Sequence, residues 1–340
     1  MMFENYNWCR DTAAESDVVV STRIRLARNL KDYPFSPRLD ETGEHEIIEK
    51  VRSVPEFAEF EYTDFTALPA EAAHSLAERH IVSPEFAKMK SAHGLLASPD
   101  DGTYIMLLEE DHIRLQCVKA GFTLAEAYET AQSAESAIDR KLNVAYSERF
   151  SYLTHCPTNL GTGMRASVML FLPCISSAGE ISSLRNQLTK LGLTVRGMSG
   201  EGSTADGCLY QISNQVTLGI SEEETVKKLS AITQSIIKRE RELRGSVTGE
   251  QYLRLRDSVR RAVGIMSHAE LIDTKEMFEL YSKVRLGAAL GMTDKITCGM
   301  LDGLLFSSMP ATIMVEQGDK IKTVLDRDAA RAEKIRAGVA

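Results

Sequence analysis

Several things are missing from this chain, and each absence removes a class of function. The six cysteines, at positions 9, 117, 156, 174, 208 and 298, form no CxxC pair, which argues against a zinc ribbon or a redox dithiol. No run approaches the ~20 apolar residues of a membrane span, and the opening MMFENYNWCR has no apolar signal core. There is no basic excess. Forty Lys and Arg stand against 48 Asp and Glu, for a net charge of -8, which speaks against nucleic acid or an anionic membrane as the main partner. Internal repeats and low-complexity tracts are also absent. What remains is 43% hydrophobic and 26% charged over 340 residues, a globular balance with room for about two domains. Free thiols in a reducing cytoplasm are the expected setting. The arginines gather in a few motifs within an acidic field, which suits local anion sites and a cationic substrate.

The most informative stretch is Ser151 to Pro173, SYLTHCPTNLGTGMRASVMLFLP. An apolar run ends in Cys156-Pro157, and a residue before proline favours extended geometry. The loop Thr158 to Gly163 has two glycines, which let amides approach an anion. Arg165 adds a planar fork for phosphate or carboxylate. The same stretch also suits a plain strand–turn–strand with a buried thiol.

Val18 to Asn29, VVVSTRIRLARN, favours a strand on which Arg23 and Arg25 share a face. Arg28 would join them only across a bulge. Thr103 to Lys119 reads as a hairpin with Glu109-Glu110-Asp111 at its tip and Arg114 on the return strand. Three crowded carboxylates suit a gripped cation and a proton to be removed, or a solvated turn. Helices are expected over Glu71–Arg79, Leu124–Leu142, the stripe from Ile181 to Leu191, and Val226–Leu243. Strands are expected at Leu193–Gly197, Cys208–Ser213 and Val216–Ile220. Gly245–Gly249 is the linker candidate, and helices follow it to a charged one over Asp326–Ala337.

STRIR at 21 to 25, EEDHIR at 109 to 114, CPTNLGTGMRASV at 156 to 168 and RGMSGE at 196 to 201 together resemble the guanidino (phosphagen) kinases. Within that family the chain is most similar to the bacterial protein-arginine kinases of McsB type. Only twenty residues precede STRIR, where creatine and arginine kinases carry a helical domain, and the helical part here comes after the kinase part. The resemblance implies an α/β (α+β) fold, a largely antiparallel sheet flanked by helices, followed by an all-helical domain. The expected divisions are a tail at 1–14, a catalytic domain at 15–243 and a helical domain at 244–340.

The resemblance also implies transfer of the ATP γ-phosphate to arginine guanidinium groups of proteins. Glu110, Glu201 and Cys156 would contact the guanidinium. The nucleotide would be met by Ser21, Thr22, Arg23, Ile24 and Arg25, by His80 and Arg114, and by Arg165, Ala166, Ser167, Val168 and Met169. Arg196, Gly197, Met198, Ser199, Gly200 and Glu201 complete that set, with loop amides around Gly161 to Gly163 as a possible cradle. Mg²⁺ would enter with ATP, without a dedicated metal cage. With no preceding domain, the guanidinium pocket is expected to admit a protein side chain. Arg327, Asp328, Arg331 and Ala332, in an RDxxRA motif, would bind phosphoarginine as an allosteric site. Expected partners are proteins with exposed arginine, a Clp-type ATPase in stress-linked degradation, a small activator protein, and a second copy through the C-terminal part. Two other readings stay open: a guanidine-modifying hydrolase with Cys156 as nucleophile, and a weakly active phosphoarginine-binding adaptor.

Overall fold

The computed structural model describes residues 13–99, 102–197 and 206–340. Among the described residues ten strands form in chain order: β1 Val19–Arg28, β2 Glu61–Asp64, β3 Gly94–Ala97, β4 Thr103–Leu107, β5 Ile113–Ala120, β6 Tyr146–Ser147, β7 Ser151–Tyr152, β8 Met164–Phe171, β9 Leu193–Gly197 and β10 Leu209–Asn214. Eight of them make one sheet in the order β2-β3-β4-β5-β1-β8-β10-β9, and β6 and β7 pair separately. Each neighbouring pair in the large sheet is antiparallel, as expected. β1 therefore lies in the middle of the sheet, flanked by β5 and β8.

Helices cover both faces. On one lie α1 Glu41–Arg52, α3 Leu124–Lys141, α4 Pro173–Ser177, α5 Ile181–Lys190 and α6 Glu222–Gly245. Their apolar residues join Ile24, Leu26, Leu115, Ala166, Val168 and Ile212 in a first core. α6 starts with a capping box in which Ser221 and Glu224 satisfy each other's backbone donors. The other face carries α2 Ala70–Glu78 together with the C-terminal helices α7 Gly249–His268, α8 Thr274–Ala289, α9 Cys298–Ser307, α10 Pro310–Gln317 and α11 Val324–Val339. These helices share a second core with the sheet, through residues such as Met106, Val118, Met169, Phe171 and Leu209.

Among the contacts that tie the C-terminal helices to the rest of the fold, three concern the cleft side of the sheet or α2. Buried Arg285 of α8 pairs with Asp302 of α9 and donates to the Ser16 and Asp17 carbonyls just before β1. The Glu78 carboxylate, at the end of α2, accepts from Ala311 N, Thr312 N and Thr312 Oγ1, so it caps the positive end of α10. Phe306 of α9 meets the His80 ring edge-on at 5.3 Å. The helix and strand expectations hold, apart from Val216–Ile220, which is not a strand. Its polar groups are committed elsewhere: Asn214 Nδ2 donates to Val216 O, and Thr217 Oγ1 donates to the Thr158 and Leu160 carbonyls. β10 takes β9 as its antiparallel partner.

Candidate active site

Strand alternation decides the site. On β1, Ser21, Arg23 and Arg25 point away from the first core, whereas Thr22, Ile24, Leu26 and Arg28 point towards it. Arg28 does not join the other two. It is fully buried on the opposite face, bonded to Glu135 of α3 and Glu222 of α6, with the Tyr152 ring 3.5 Å away. Ile24, Ala166 and Val168 are in that same core, and Thr22 Oγ1 donates to Gly121 O. Their side chains therefore face away from the arginine cluster.

Register brings the cluster together. Arg25 sits directly opposite Arg165 across β1 and β8, and Arg114 lies opposite the neighbouring Ala27 across β1 and β5. Like charges opposite one another destabilise a sheet, and among the described residues Glu109 pairs with Arg114. Desolvation, then Arg114 and Arg165, lower the Arg23 pKa to about 10. Desolvation and the other three arginines push Arg25 well below its usual value, against a small opposing pull from Glu109. Arg25 Nε has no hydrogen-bond partner among the described residues. Such a cluster is poised for an anion that would relieve the repulsion.

The arginines are held in place by neutral or locally balanced partners. Arg165 Nε and Nη2 both point at Ser213 Oγ, at 3.3 and 3.2 Å. Arg114 pairs with Glu109, which also accepts from the Ser83 hydroxyl. Arg196 stands on β9 opposite Gln211. His80 follows α2 with a positive φ of 59°, and Gln116 Nε2 donates to its carbonyl at 3.1 Å. Desolvation first, then Arg23 and Arg25, push the His80 pKa down to about 3. His80 is thus a neutral ring across the working pH range, and its Nε2 is buried without a partner. A crevice lined by His80, Arg23, Ser21, Ser167, Met169 and Gln211 adjoins it.

A cavity of about 160 Å³ lies between Arg25, Arg114 and Arg165 on one side and the hairpin tip on the other. The three tip carboxylates have separate roles, which corrects the expectation that all three grip a cation. Glu109 is tied to Arg114, and Asp111 is 3% exposed and bonded within the protein. Glu110 alone is open, with His155 Nδ1 4.0 Å from its Oε1. Cys156 follows His155 and is partly exposed, its Sγ 3.0 Å from the Thr158 hydroxyl.

The glycine loop is a packed hinge. A Cβ on Gly161 (φ 109°) would stand 2.2 Å from Thr217 O, and one on Gly163 (φ 61°) would stand 2.7 Å from Ala27 O. Thr162 N donates to Thr217 O, and Met164 N to Thr162 Oγ1. Of the amides expected to form a cradle, that of Thr162 is thus taken up within the protein. Met198, Ser199, Gly200 and Glu201 lie outside the described residues. Among the described residues no group of three or more His, Cys, Asp or Glu could hold a metal ion.

The RDxxRA residues lie on α11, remote in sequence from this cleft. Arg331 is fully buried rather than on an open patch. Its Nε donates to Ser308 O, and Nη1 to Ile272 O and Asp328 Oδ1, at 2.6 to 2.9 Å. Ala332 is likewise buried. Arg331 Nη2 and Arg327 Nε are left without hydrogen-bond partners. Residues that sequence reading did not single out include Asn29, Ser83, Ser213 and Thr217. Each is a short polar side chain at a strand end or turn, a pattern too common to stand out.

Comparison with known proteins agrees with this geometry. A family model described as ATP:guanido phosphotransferase, C-terminal catalytic domain, matches residues 43–243, and one described as protein-arginine kinase McsB C-terminal domain matches residues 252–340. The chain is 41% identical over 333 residues to a protein-arginine kinase of Syntrophomonas wolfei, covering 96% of this chain and 92% of the relative. It is 39% identical to one of Halothermothrix orenii, over 97% and 95%. Among solved structures it is similar in fold to a lombricine kinase, with a TM-score of 0.60, 24% identity and 68% of each chain covered. It is also similar to the duplicated taurocyamine kinase of Schistosoma mansoni with bound transition state analog components, with a TM-score of 0.61, 22% identity, and 79% of this chain and 42% of the other covered.

Proposed function

This chain belongs to the ATP:guanido phosphotransferase family, and we propose that it transfers the γ-phosphate of ATP to arginine side chains of proteins. The observation that carries this reading is the pairing of Arg25, Arg114 and Arg165 with the open carboxylate of Glu110 across one small cavity, beside which Cys156 Sγ stands 3.0 Å from the hydroxyl of Thr158, a residue of the lining. A cationic acceptor and a polyanionic donor need opposite surroundings, and the two sides of the cavity provide them.

The chemistry has one difficult step. A guanidinium has a pKa above about 12, so near pH 7 a neutral nucleophilic nitrogen costs roughly 7 kcal/mol. Glu110 pairs with the target guanidinium and takes its proton as the N–P bond forms and the bond to the ADP oxygen breaks. Cys156 as thiolate provides a second negative contact, with the Thr158 hydroxyl donating to sulfur. Arg25, Arg114 and Arg165 hold the transferring phosphoryl group and the charge that develops on ADP. Arg23 and neutral His80 meet the rest of the nucleotide, with Arg196 beside them. Glu201, by resemblance, would grip the guanidinium from the other side. Mg²⁺ would arrive on the ATP phosphates and be held mostly by them and by water.

Replacing Cys156 by serine should lower kcat about tenfold without abolishing transfer, since a neutral dipole replaces a charge-assisted contact. Steady-state kinetics with a protein acceptor test this, and full retention of kcat would remove the thiolate from the mechanism. ATP dependence separates the kinase from a Cys156-nucleophile hydrolase. A kinase leaves the guanidino carbon intact and consumes ATP, whereas a hydrolase would release product from arginine without nucleotide.

A second anion site at Arg327 and Arg331 is part of the proposal. Arg331 Nη2, which lacks a hydrogen-bond partner among the described residues, and Arg327 Nε, which makes only a 3.6 Å ion pair with Asp328, suit a phosphorylated guanidinium, with Asp328 for its cationic end. Phosphoarginine bound there regulates activity or assembly. Combined Arg327→Ala and Arg331→Ala substitution should abolish phosphoarginine binding by calorimetry while ATP binding persists, and an unchanged phosphoarginine affinity would refute the site. By resemblance to McsB-type kinases, the wider proposal includes a cytoplasmic setting, hand-over of modified proteins to a Clp-type ATPase under stress, a small activator protein, and self-association through the C-terminal helices.

A further inference from the structure

Glu110 and Cys156 come from two separate loops, the tip between β4 and β5 and the segment after β7. Neither loop alone fixes the distance between base and thiol. Two side chains join them, Asn29 and Asp111. Asn29, immediately after β1, is 1% exposed. Its Nδ2 donates to Asp111 Oδ1 at 2.7 Å and to Leu153 O at 3.0 Å, and its Oδ1 accepts from His112 N at 2.9 Å. The same Asp111 Oδ1 accepts from His155 N at 2.7 Å. Every partner is next to, or close beside, a residue of the guanidinium pocket: Asp111 follows Glu110, and His155 precedes Cys156.

The surroundings are built to keep this arrangement. His112 Nδ1 accepts from Leu30 N, and its Nε2 donates to Pro34 O. Burial lowers the His112 pKa and so favours the neutral ring that can do both. The Asn29 main chain takes part as well, its carbonyl accepting from Ala145 N at 2.7 Å, while Leu153 N donates to Ala145 O. Only a carboxamide of this length can donate twice and accept once here. Aspartate would set a second carboxylate against Asp111, and an aliphatic residue would leave Asp111, His112 N and Leu153 O short of partners.

We infer that Asn29 is a positioning residue for guanidino transfer, a clamp that sets Glu110 and Cys156 at one spacing around the acceptor nitrogen. The inference rests on the reading of those two residues as guanidinium contacts. It implies that loss of the clamp affects the chemical step more than nucleotide binding, because Arg25 and Arg165 are on β1 and β8, which the Asn29 side chain does not hold, and only Arg114, on β5 just after His112, lies near its contacts.

The test compares Asn29→Ala, Asp111→Ala and the double variant in the full-length chain. A misplacement near 1 Å can cost about 10²-fold in rate. Each single variant should therefore lower kcat about 10²-fold with the ATP KM within about twofold, and the double variant should lose little more than either single one. A second readout avoids catalysis: the rate of Cys156 alkylation by iodoacetamide, resolved by peptide mass spectrometry, should change in both variants. Should Asn29→Ala fail to fold, Asp111→Ala and Asn29→Ser decide the same question. Unchanged kcat in a folded variant overturns the clamp, as does a kcat loss matched by an equal rise in ATP KM. Glu110→Gln is run alongside. If it too keeps full turnover, the reading of the site falls and the clamp with it. If Glu110→Gln is inactive while Asn29→Ala is not, only the clamp is wrong.

Discussion

Glu110→Gln is expected to lower kcat by about 10³-fold, the middle of the range for a general base, while the ATP KM changes little. The amide keeps the size and the hydrogen-bonding capacity of the side chain but cannot accept the guanidinium proton. Glu110 is also the only one of the three tip carboxylates that the protein leaves open. Glu109 is occupied with Arg114 and Ser83, and Asp111 with Asn29 and His155. Replacement of Glu109 should accordingly act through Arg114 and raise the ATP KM. The check is steady-state kinetics with separate variation of ATP and of the protein acceptor. If Glu110→Gln retained near-full activity, the base would have to be another group.

Arg25→Ala should be equally damaging in a different way. Single arginines that stabilise phosphoryl transfer contribute about 10³–10⁵ in rate, and Arg25 is at the centre of the cluster, opposite Arg165 and beside Arg114. Both kcat and ATP affinity should fall, by about 10³-fold in kcat. The folded protein without nucleotide should become more stable, because removing one cation relieves repulsion that desolvation has made expensive. Thermal melts with and without ATP read both effects. The variant is expected to melt higher than the parent in the absence of nucleotide and to gain less from its addition. A lower melting temperature without nucleotide would mean that Arg25 is structural.

Much of this site can be read from the sequence, and the reasons are local. The period of two along β1 places Arg23 and Arg25 together, and the hairpin brings Glu110 to a tip whatever the rest of the chain does. The β-branched run of Val18, Val19 and Val20 likewise fixes an element that tertiary packing does not override. What was hidden depends on long-range partners. Arg28 looks like its neighbours in the motif but meets Glu135 and Glu222 on the far face. Val216–Ile220 has strand-like residues, yet Thr217 is drawn to the Thr158 and Leu160 carbonyls. The Thr162 amide lies in a glycine loop that suits an anion, yet Thr217 O takes it. Arg331 sits in a charged stretch, and only the packing of α11 against the Ser308 and Ile272 carbonyls shows that it is buried.

The central claim, that phosphate goes from ATP to the guanidino nitrogen of arginine in proteins, has one direct measurement. The full-length chain is incubated with Mg²⁺, ATP and an arginine-rich acceptor protein, kept from acid, and the acceptor is digested and sequenced by mass spectrometry with a fragmentation method that preserves the N–P bond. The account predicts phosphate on arginine, lost on acid treatment and absent when the Glu110→Gln protein is used. Phosphate confined to serine, threonine or tyrosine, or arginine modified without consumption of ATP, would contradict it.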